Sequence, residues 1–306
     1  MNSILVIGGA HIDRKGKMQA PYFKGSSIPG TMTDAIGGGA FNVAVNLARL
    51  DEPVLFASPR TDDASAIDIQ TAINNMKNMT DLPIKTKGRT PSYTAMIDQD
   101  GEMIAALADM DLYDGLETSH FLTDELRIKI QNCKILVTDA NLPDAILGEI
   151  SKLISLDTLW YAIATSPAKI IKYKDVLDKI TLLAMNKNEA MALTNLDGLP
   201  QTTSTFIPLL KAMGLGGAII TDGEAPLACY MTDETPLEIL PPELSKVIDV
   251  TGAGDATIAA FISSIDNKAP LKRALENAIA AAQITIGFDG AQNPQLSQSK
   301  IKERLA

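Results

Sequence analysis

The sequence predicts an α/β fold: a mostly parallel sheet covered by helices on both faces, with a small β-lid beside it. Short apolar runs alternate with helix-patterned segments along most of the chain, and the connections between them are short. Two polar, glycine-bearing stretches break that alternation in the amino-terminal third. Alternation with short connections implies parallel strands whose crossover helices cover both faces. Ligands in such folds bind beyond the carboxyl ends of the strands.

Taken in order, Ser3–Ile7 reads as an apolar strand ending in Gly8-Gly9, without the Gly-x-Gly-x-x-Gly spacing of a dinucleotide fold. Residues 14–36 carry scattered Gly and Pro and no helical period, so they read as short strands of a flap. A helix follows over Gly37–Leu50, then a strand at Val54–Ala57 and a helix at Ser65–Met79. Ser92–Asp98 and Glu102–Leu107, joined by Gln99-Asp100-Gly101, read as a hairpin that pairs with the flap to make the lid. Strands are expected at Ile135–Thr138, Thr158–Ala162, Thr181–Ala184 and Gly217–Ile220, with helices at Pro143–Leu156, after Asn186 and at Thr203–Met213. Leu227–Met231 with Leu237–Leu240 reads as an edge hairpin, and helices Ala253–Ile265 and Leu271–Ile286 close the fold.

Composition excludes several classes of function. A net charge of −10 without a Lys/Arg stripe argues against nucleic acid as a partner. No run approaches the roughly 18–20 apolar residues that a membrane span requires. The chain enters its first strand at once, without a basic or cleavable leader, so the expectation is a soluble cytoplasmic protein. Two cysteines, Cys133 and Cys229, sit in apolar contexts and read as small buried hydrophobes. Two histidines, His11 and His120, are too few for a zinc site built on several histidines.

The most informative stretch is Asp249-Val250-Thr251-Gly252-Ala253-Gly254-Asp255. Ile258, Phe261, Ile262 and Ile265 recur with helical spacing, so a helix starts near Ala253. A small-residue turn feeding a helix presents unpaired N–H groups and the positive end of the dipole, which attract an anion such as phosphate. A carboxylate among such amides suits proton removal from a hydroxyl that attacks the phosphate. The same residues also fit a close-packed turn with an aspartate favouring the dipole, and alone they leave the two readings balanced. Upstream, Gly37-Gly38-Gly39-Ala40-Phe41-Asn42 opens a helix whose Asn42, Asn46 and Arg49 share one stripe. By itself this segment reads as a glycine-rich loop followed by a solvated helix face.

Four features stand in a definite order: Asp13 after the first strand, the Gly37–Asn42 loop, Asn186-x-x-Glu189 after a middle strand, and Gly252–Asp255 near the end. Together they resemble the ribokinase-like (phosphofructokinase B, PfkB) family of carbohydrate and nucleoside kinases, over essentially the whole chain. The resemblance implies a ribokinase-like three-layer α/β/α sandwich, with residues 1–306 as one kinase domain and a lid from about 14–36 and 88–110. It implies a homodimer formed through the lid. It also implies transfer of the γ-phosphate of ATP to an alcohol, with Asp255 as base and the amides of Gly252, Ala253 and Gly254 as anion hole. Asp13, Gly38, Gly39 and Asn42 map to the acceptor site, and Asn186, Thr221 and Gly223 to the nucleotide side. Glu189, with Asn186, would organise Mg²⁺ through water, and Asp249 with Thr251, together with backbone groups around Gly290–Gln292, would hold a monovalent cation such as K⁺.

An aspartate of ordinary pKa suffices for this chemistry, because the alcohol's proton leaves late. Neither a Walker A lysine motif nor a protein-kinase His-Arg-Asp signature occurs, which removes those phosphoryl-transfer classes. The chain departs from the family pattern at His11, where Asn is common, at Asp51-Glu52, at Ala162–Ser166 and at Met185–Lys187.

For the acceptor, Arg89–Thr94, Asp98–Met103, Ala108–Leu112, Asp139–Leu142 and Ala10–Gly16 resemble the pseudouridine-kinase branch of the family. That resemblance implies phosphorylation of the 5′-hydroxyl of pseudouridine. A kinase for ribose or a related sugar is the alternative within enzymes. A sensor that binds a sugar or nucleoside without turnover is the alternative outside them, and it would have no need of Asp255.

Overall fold

The computed structural model describes residues 4–196, 198, 202–244 and 246–306. Their strands, in chain order, are β1 (Ile4–Ile7), β2 (His11–Met18), β3 (Gly30–Gly37), β4 (Val54–Arg60), β5 (Met79–Lys85), β6 (Ser92–Ile97), β7 (Met103–Asp109), β8 (Ile135–Asp139), β9 (Leu159–Ile163), β10 (Leu182–Asn186), β11 (Gly217–Thr221), β12 (Leu227–Met231) and β13 (Leu237–Ile239). Nine of them form the main sheet, in the order β13-β12-β11-β10-β9-β8-β1-β4-β5. From β5 to β11 all neighbours pair in parallel, and β12 and β13 add the antiparallel edge that the sequence predicts.

The alternation of side chains along each strand builds two cores at once. Leu5 and Ile7 point to one face, where Leu136, Trp160, Leu183 and Ile220 join them under helices Asp124–Asn132 and Asp144–Leu153. Ile4 and Val6 point to the other, with Val137, Tyr161, Leu182 and Ile219, under helices Gly39–Arg49, Ala253–Asp266 and Leu271–Ile286. Burying each such large side chain is worth roughly 1.5–3 kcal/mol. The indole N–H at the centre of the first core is matched: Trp160 Nε1 donates to Thr138 Oγ1 at 2.9 Å, and that hydroxyl lies 3.0 Å from the Tyr173 hydroxyl.

The lid is a four-stranded sheet in the order β3-β2-β6-β7, so the polar flap and the hairpin do pair, with β2 and β6 parallel. It begins earlier than expected, at His11, directly behind β1. The Asp98 carboxylate shapes the hairpin turn by accepting from the N–H groups of Asp100 and Glu102, both at 2.9 Å.

Two expectations need correction. The helix expected over Ser65–Met79 runs over Ala64–Asn74, and Met79–Lys85 is β5, the outer strand of the sheet. Pro83 masked that strand, but an edge strand tolerates a residue without an N–H. The helix expected over Thr203–Met213 divides into a 3₁₀ turn, Thr203–Phe206, and an α-helix, Ile207–Ala212. Pro208, at the start of the second piece, lacks the N–H that would continue the ladder to Ser204.

Candidate active site

Chain order in the main sheet runs outward from the centre, through β4 and β5 on one side and through β8 to β13 on the other. The reversal lies between β1 and β8, and a ligand crevice forms at the carboxyl ends of such strands. Gly8-Gly9 follows β1 there, and Asp139 ends β8. The fully buried Asp139 carboxylate accepts from Gly9 N–H (3.2 and 3.1 Å), Ala40 N–H (3.0 Å), Asn141 N–H (3.1 Å) and Asn141 Nδ2 (2.7 Å). It thereby ties β1 to the start of helix Gly39–Arg49. Gly38, at φ 111°, makes the approach possible, since a Cβ there would fall 2.4 Å from the Gly9 carbonyl oxygen.

Helices Gly39–Arg49 and Ala253–Asp266 pack side by side on the same face of the sheet, and this brings Asn42 to Asp255. Asn42 Nδ2 donates to Asp255 Oδ2 at 2.7 Å. The Asn42 stripe is therefore not a solvated face: Asn46 is fully buried, Asn42 nearly so, and Arg49 donates to the Asn293 carbonyl at 3.0 Å. Nor is Asp255 an aspartate of ordinary pKa. Burial pushes it up to about 7; the Asn42 N–H opposes this, while the carboxylates of Asp139, Glu189 and Asp13 add to it. A carboxyl group poised there can take an alcohol's proton near neutral pH.

Helix Ala253–Asp266 has no side-chain cap, and its N-cap Gly252 adopts the left-handed φ of 77°. Ala253 N–H makes a long bond to the Val250 carbonyl at 3.3 Å, whereas Gly252 and Gly254 N–H find no acceptor among the described residues. Of the three amides read as an anion hole, these two are the freer donors. A Cβ on Gly252 would stand 2.2 Å from the Ala291 oxygen, so the segment around residue 291 is moulded to this turn.

Of the residues expected at the acceptor, Asp13 lies in β2, and Gly37 leaves room for it: a Cβ on Gly37 would meet Asp13 Oδ2 at 1.9 Å. His11 is buried beside it, with Nε2 3.3 Å from Asp13 Oδ1 and Nδ1 3.3 Å from the Tyr113 hydroxyl. Gly39 sits between Asp139 and Ile163, where a Cβ would make ordinary contacts.

The residues expected on the nucleotide side gather at the ends of β10 and β11. Asn186 and Thr221 are register partners, and Gly223 turns the chain at φ 58°. Asn186 and Glu189 form a reciprocal helix cap: Asn186 N–H donates to Glu189 Oε2 at 2.7 Å and Glu189 N–H to Asn186 Oδ1 at 3.0 Å. Glu189 is buried, and burial raises its pKa. The altered Lys187 pairs with Asp222 at 2.9 Å. Asp249 Oδ1 accepts from Thr251 N–H (2.9 Å) and Oγ1 (2.6 Å); burial raises its pKa, but these bonds together with the Lys15 ammonium bring it below the ordinary value. Lys15 of the lid reaches Asp249 Oδ2 at 3.4 Å, which places an ammonium beside the carboxylate expected to hold K⁺.

The structure adds side chains whose individual contacts the sequence did not assign. Asp139 ends a fully buried strand, and its position on the crevice side was the available signal. Lys169, whose pKa burial lowers, donates to Asn141 Oδ1 at 2.6 Å from a segment without periodicity. Gln292 comes from an irregular stretch whose backbone the resemblance assigns to the cation site, and its side chain was given no role.

A family model described as pfkB family carbohydrate kinase matches residues 1–298. The pseudouridine kinase of Escherichia coli (strain K12) is 26% identical, the match covering 97% of this chain and 95% of that protein. The ribokinase of Bacillus subtilis (strain 168) is 24% identical, with 100% of both chains covered. Among solved structures, a carbohydrate kinase from Agrobacterium tumefaciens is 36% identical, with TM-score 0.87 over 100% of this chain and 97% of that one. The ribokinase of Thermotoga maritima, 19% identical, has the same fold at TM-score 0.87 over 100% and 99% of the two chains. With its ribokinase-like α/β/α sandwich and β-lid, the chain belongs to the pfkB family of carbohydrate kinases, ATP-dependent enzymes that phosphorylate a hydroxyl of a sugar or nucleoside.

Proposed function

We propose that this kinase phosphorylates the 5′-hydroxyl of a nucleoside, with pseudouridine as the acceptor. The observation that carries the chemistry is the 2.7 Å hydrogen bond joining Asn42 to Asp255, beside the uncapped helix start. The acceptor's sugar lies against Asp13, Gly38, Gly39 and Asn42, and Asp13 accepts from its vicinal hydroxyls. Asp255 takes the proton of the attacking hydroxyl. The N–H groups of Gly252, Ala253 and Gly254 then face the charge that develops on the transferred phosphoryl group. Similarity to the E. coli pseudouridine kinase over nearly the whole chain supports the choice of acceptor.

Among the described residues, no three His, Cys, Asp or Glu side chains are arranged to hold a metal. Mg²⁺ suits such a site, because it binds through substrate phosphates, water and one or two carboxylates. Glu189 would be that carboxylate, and the ion would neutralise charge on the nucleotide. Asn186, Thr221 and Gly223 line the nucleotide, while Asp249 and Thr251 would hold K⁺. A homodimer through the lid fits the exposure there of Leu107 (70%), Met103 (60%) and Met32 (55%). No helix of the described residues is long and apolar enough to cross a membrane, and we place the enzyme in the cytoplasm.

A second reading, a kinase for ribose or a related sugar, is favoured by the full-length match to B. subtilis ribokinase. A panel of pseudouridine, uridine, adenosine and ribose with ATP and Mg²⁺ separates the two. Turnover of ribose or adenosine with none of pseudouridine overturns the first reading. Asp255→Asn should lower kcat by about 10²–10⁴-fold while acceptor binding stays measurable.

A further inference from the structure

One side chain outside the acceptor and nucleotide sites touches the catalytic hydrogen bond from behind. Gln292 Nε2 donates to Asn42 Oδ1 at 2.8 Å and to the Ile36 carbonyl of β3 at 2.9 Å. Asn42 in turn donates through Nδ2 to Asp255 Oδ2. An amide has one acceptor end and one donor end, so a partner that occupies Oδ1 decides where the N–H points. The neighbouring Ala291 backbone packs against Gly252, so the same short segment supports both the base and the anion-hole turn.

We propose that Gln292 is a positioning residue for phosphoryl transfer: by holding Asn42 Oδ1 it turns the Asn42 N–H toward Asp255, and it fastens that pair to the end of lid strand β3. Without Gln292 the Asn42 amide is free to flip and present its oxygen to Asp255. An oxygen facing a carboxylate repels it and favours the protonated acid, which cannot accept a proton. The carboxylates of Asp139, from β8, Glu189, from helix Lys187–Thr194, and Asp13, from β2, already press Asp255 in that direction. The Asn42 N–H opposes all three, and its orientation is what Gln292 secures.

The inference rests on reading Asp255 as the base, and its test separates the two. Gln292→Leu and Gln292→Glu are compared with the wild-type full chain, using ATP, Mg²⁺ and the acceptor selected by the substrate panel. The acid limb of the kcat–pH profile should move up by about one pH unit in both variants, with KM for the acceptor changed less than about threefold. At pH 6.5 kcat should fall roughly tenfold and recover above pH 8. In parallel, the ¹³Cγ resonance of Asp255, assigned by its loss in Asp255→Asn, should titrate at a higher pH in each variant that folds. A loss of kcat equal at every pH, with an unmoved Asp255 titration, overturns the inference. Wild-type turnover in Asp255→Asn would overturn the base reading instead, and the titration would still decide whether Gln292 controls Asp255.

Discussion

Asp255→Asn should make the protein inactive and, at alkaline pH, more stable. The carboxyl group moves from an ordinary value of 3.8 to about 7 on folding, driven first by burial. A gap of about three pH units, at about 1.36 kcal/mol each, is roughly 4 kcal/mol. Because the folded-state value is the higher one, the folded protein holds the proton more tightly. The favourable contribution is complete below pH 3.8, declines as pH rises and is gone once pH passes about 7. An asparagine has no such titration. Water entering the cleft trims the full figure, so we expect Asp255→Asn to exceed the wild type by about 2–4 kcal/mol at pH 8. The advantage should shrink by about 2 kcal/mol at pH 5, where the folded wild type is already protonated at this site. Urea unfolding of both proteins at the two pH values measures this directly. A stability gap that stays constant between pH 5 and pH 8 would refute the idea of a desolvated carboxylate pressed by its neighbours.

Three further substitutions probe the parts around Asp255. Gly252→Ala combines a left-handed φ of 77° with a Cβ 2.2 Å from the Ala291 backbone, so the turn of Gly252–Asp255 must shift. It should lower kcat by about 10²-fold or more, and wild-type kcat would show that these amides do not face the reacting phosphate. Gly37→Ala places a Cβ 1.9 Å from Asp13 Oδ2 and displaces that carboxylate. Acceptor KM should rise about tenfold with little change in KM for ATP, and equal changes in both would argue against Asp13 as an acceptor ligand. Asp139→Ala strands the buried N–H donors of Gly9, Ala40 and Asn141. Unfolding free energy should drop by about 3–5 kcal/mol, and a loss below about 1 kcal/mol would mean that water replaces the carboxylate.

The sequence by itself determined the strand–helix alternation and the lid pairing, because these depend on local period and on rules of connection. Apolar runs at Ile135–Asp139 and Gly217–Thr221, and the helical spacing behind Gly252, need no distant partner to be recognised. The Gly252–Asp255 turn was legible for the same reason, since it is the start of one uncapped helix. Strand β5 was hidden by Pro83, whose acceptability depends on lying at the sheet edge, a fact of strand order rather than of composition.

Only the tertiary structure decided the protonation of Asp255 and the surroundings of Asn42. Asp13, Asp139, Glu189 and Asp255 come from four separate elements, and their mutual repulsion arises when packing removes the water between them. Gln292 lies 250 residues from Asn42 along the chain, yet it donates to the amide oxygen of Asn42, whose N–H meets Asp255. Electrostatics and hydrogen-bond direction depend on distances through space, which a one-dimensional pattern does not carry.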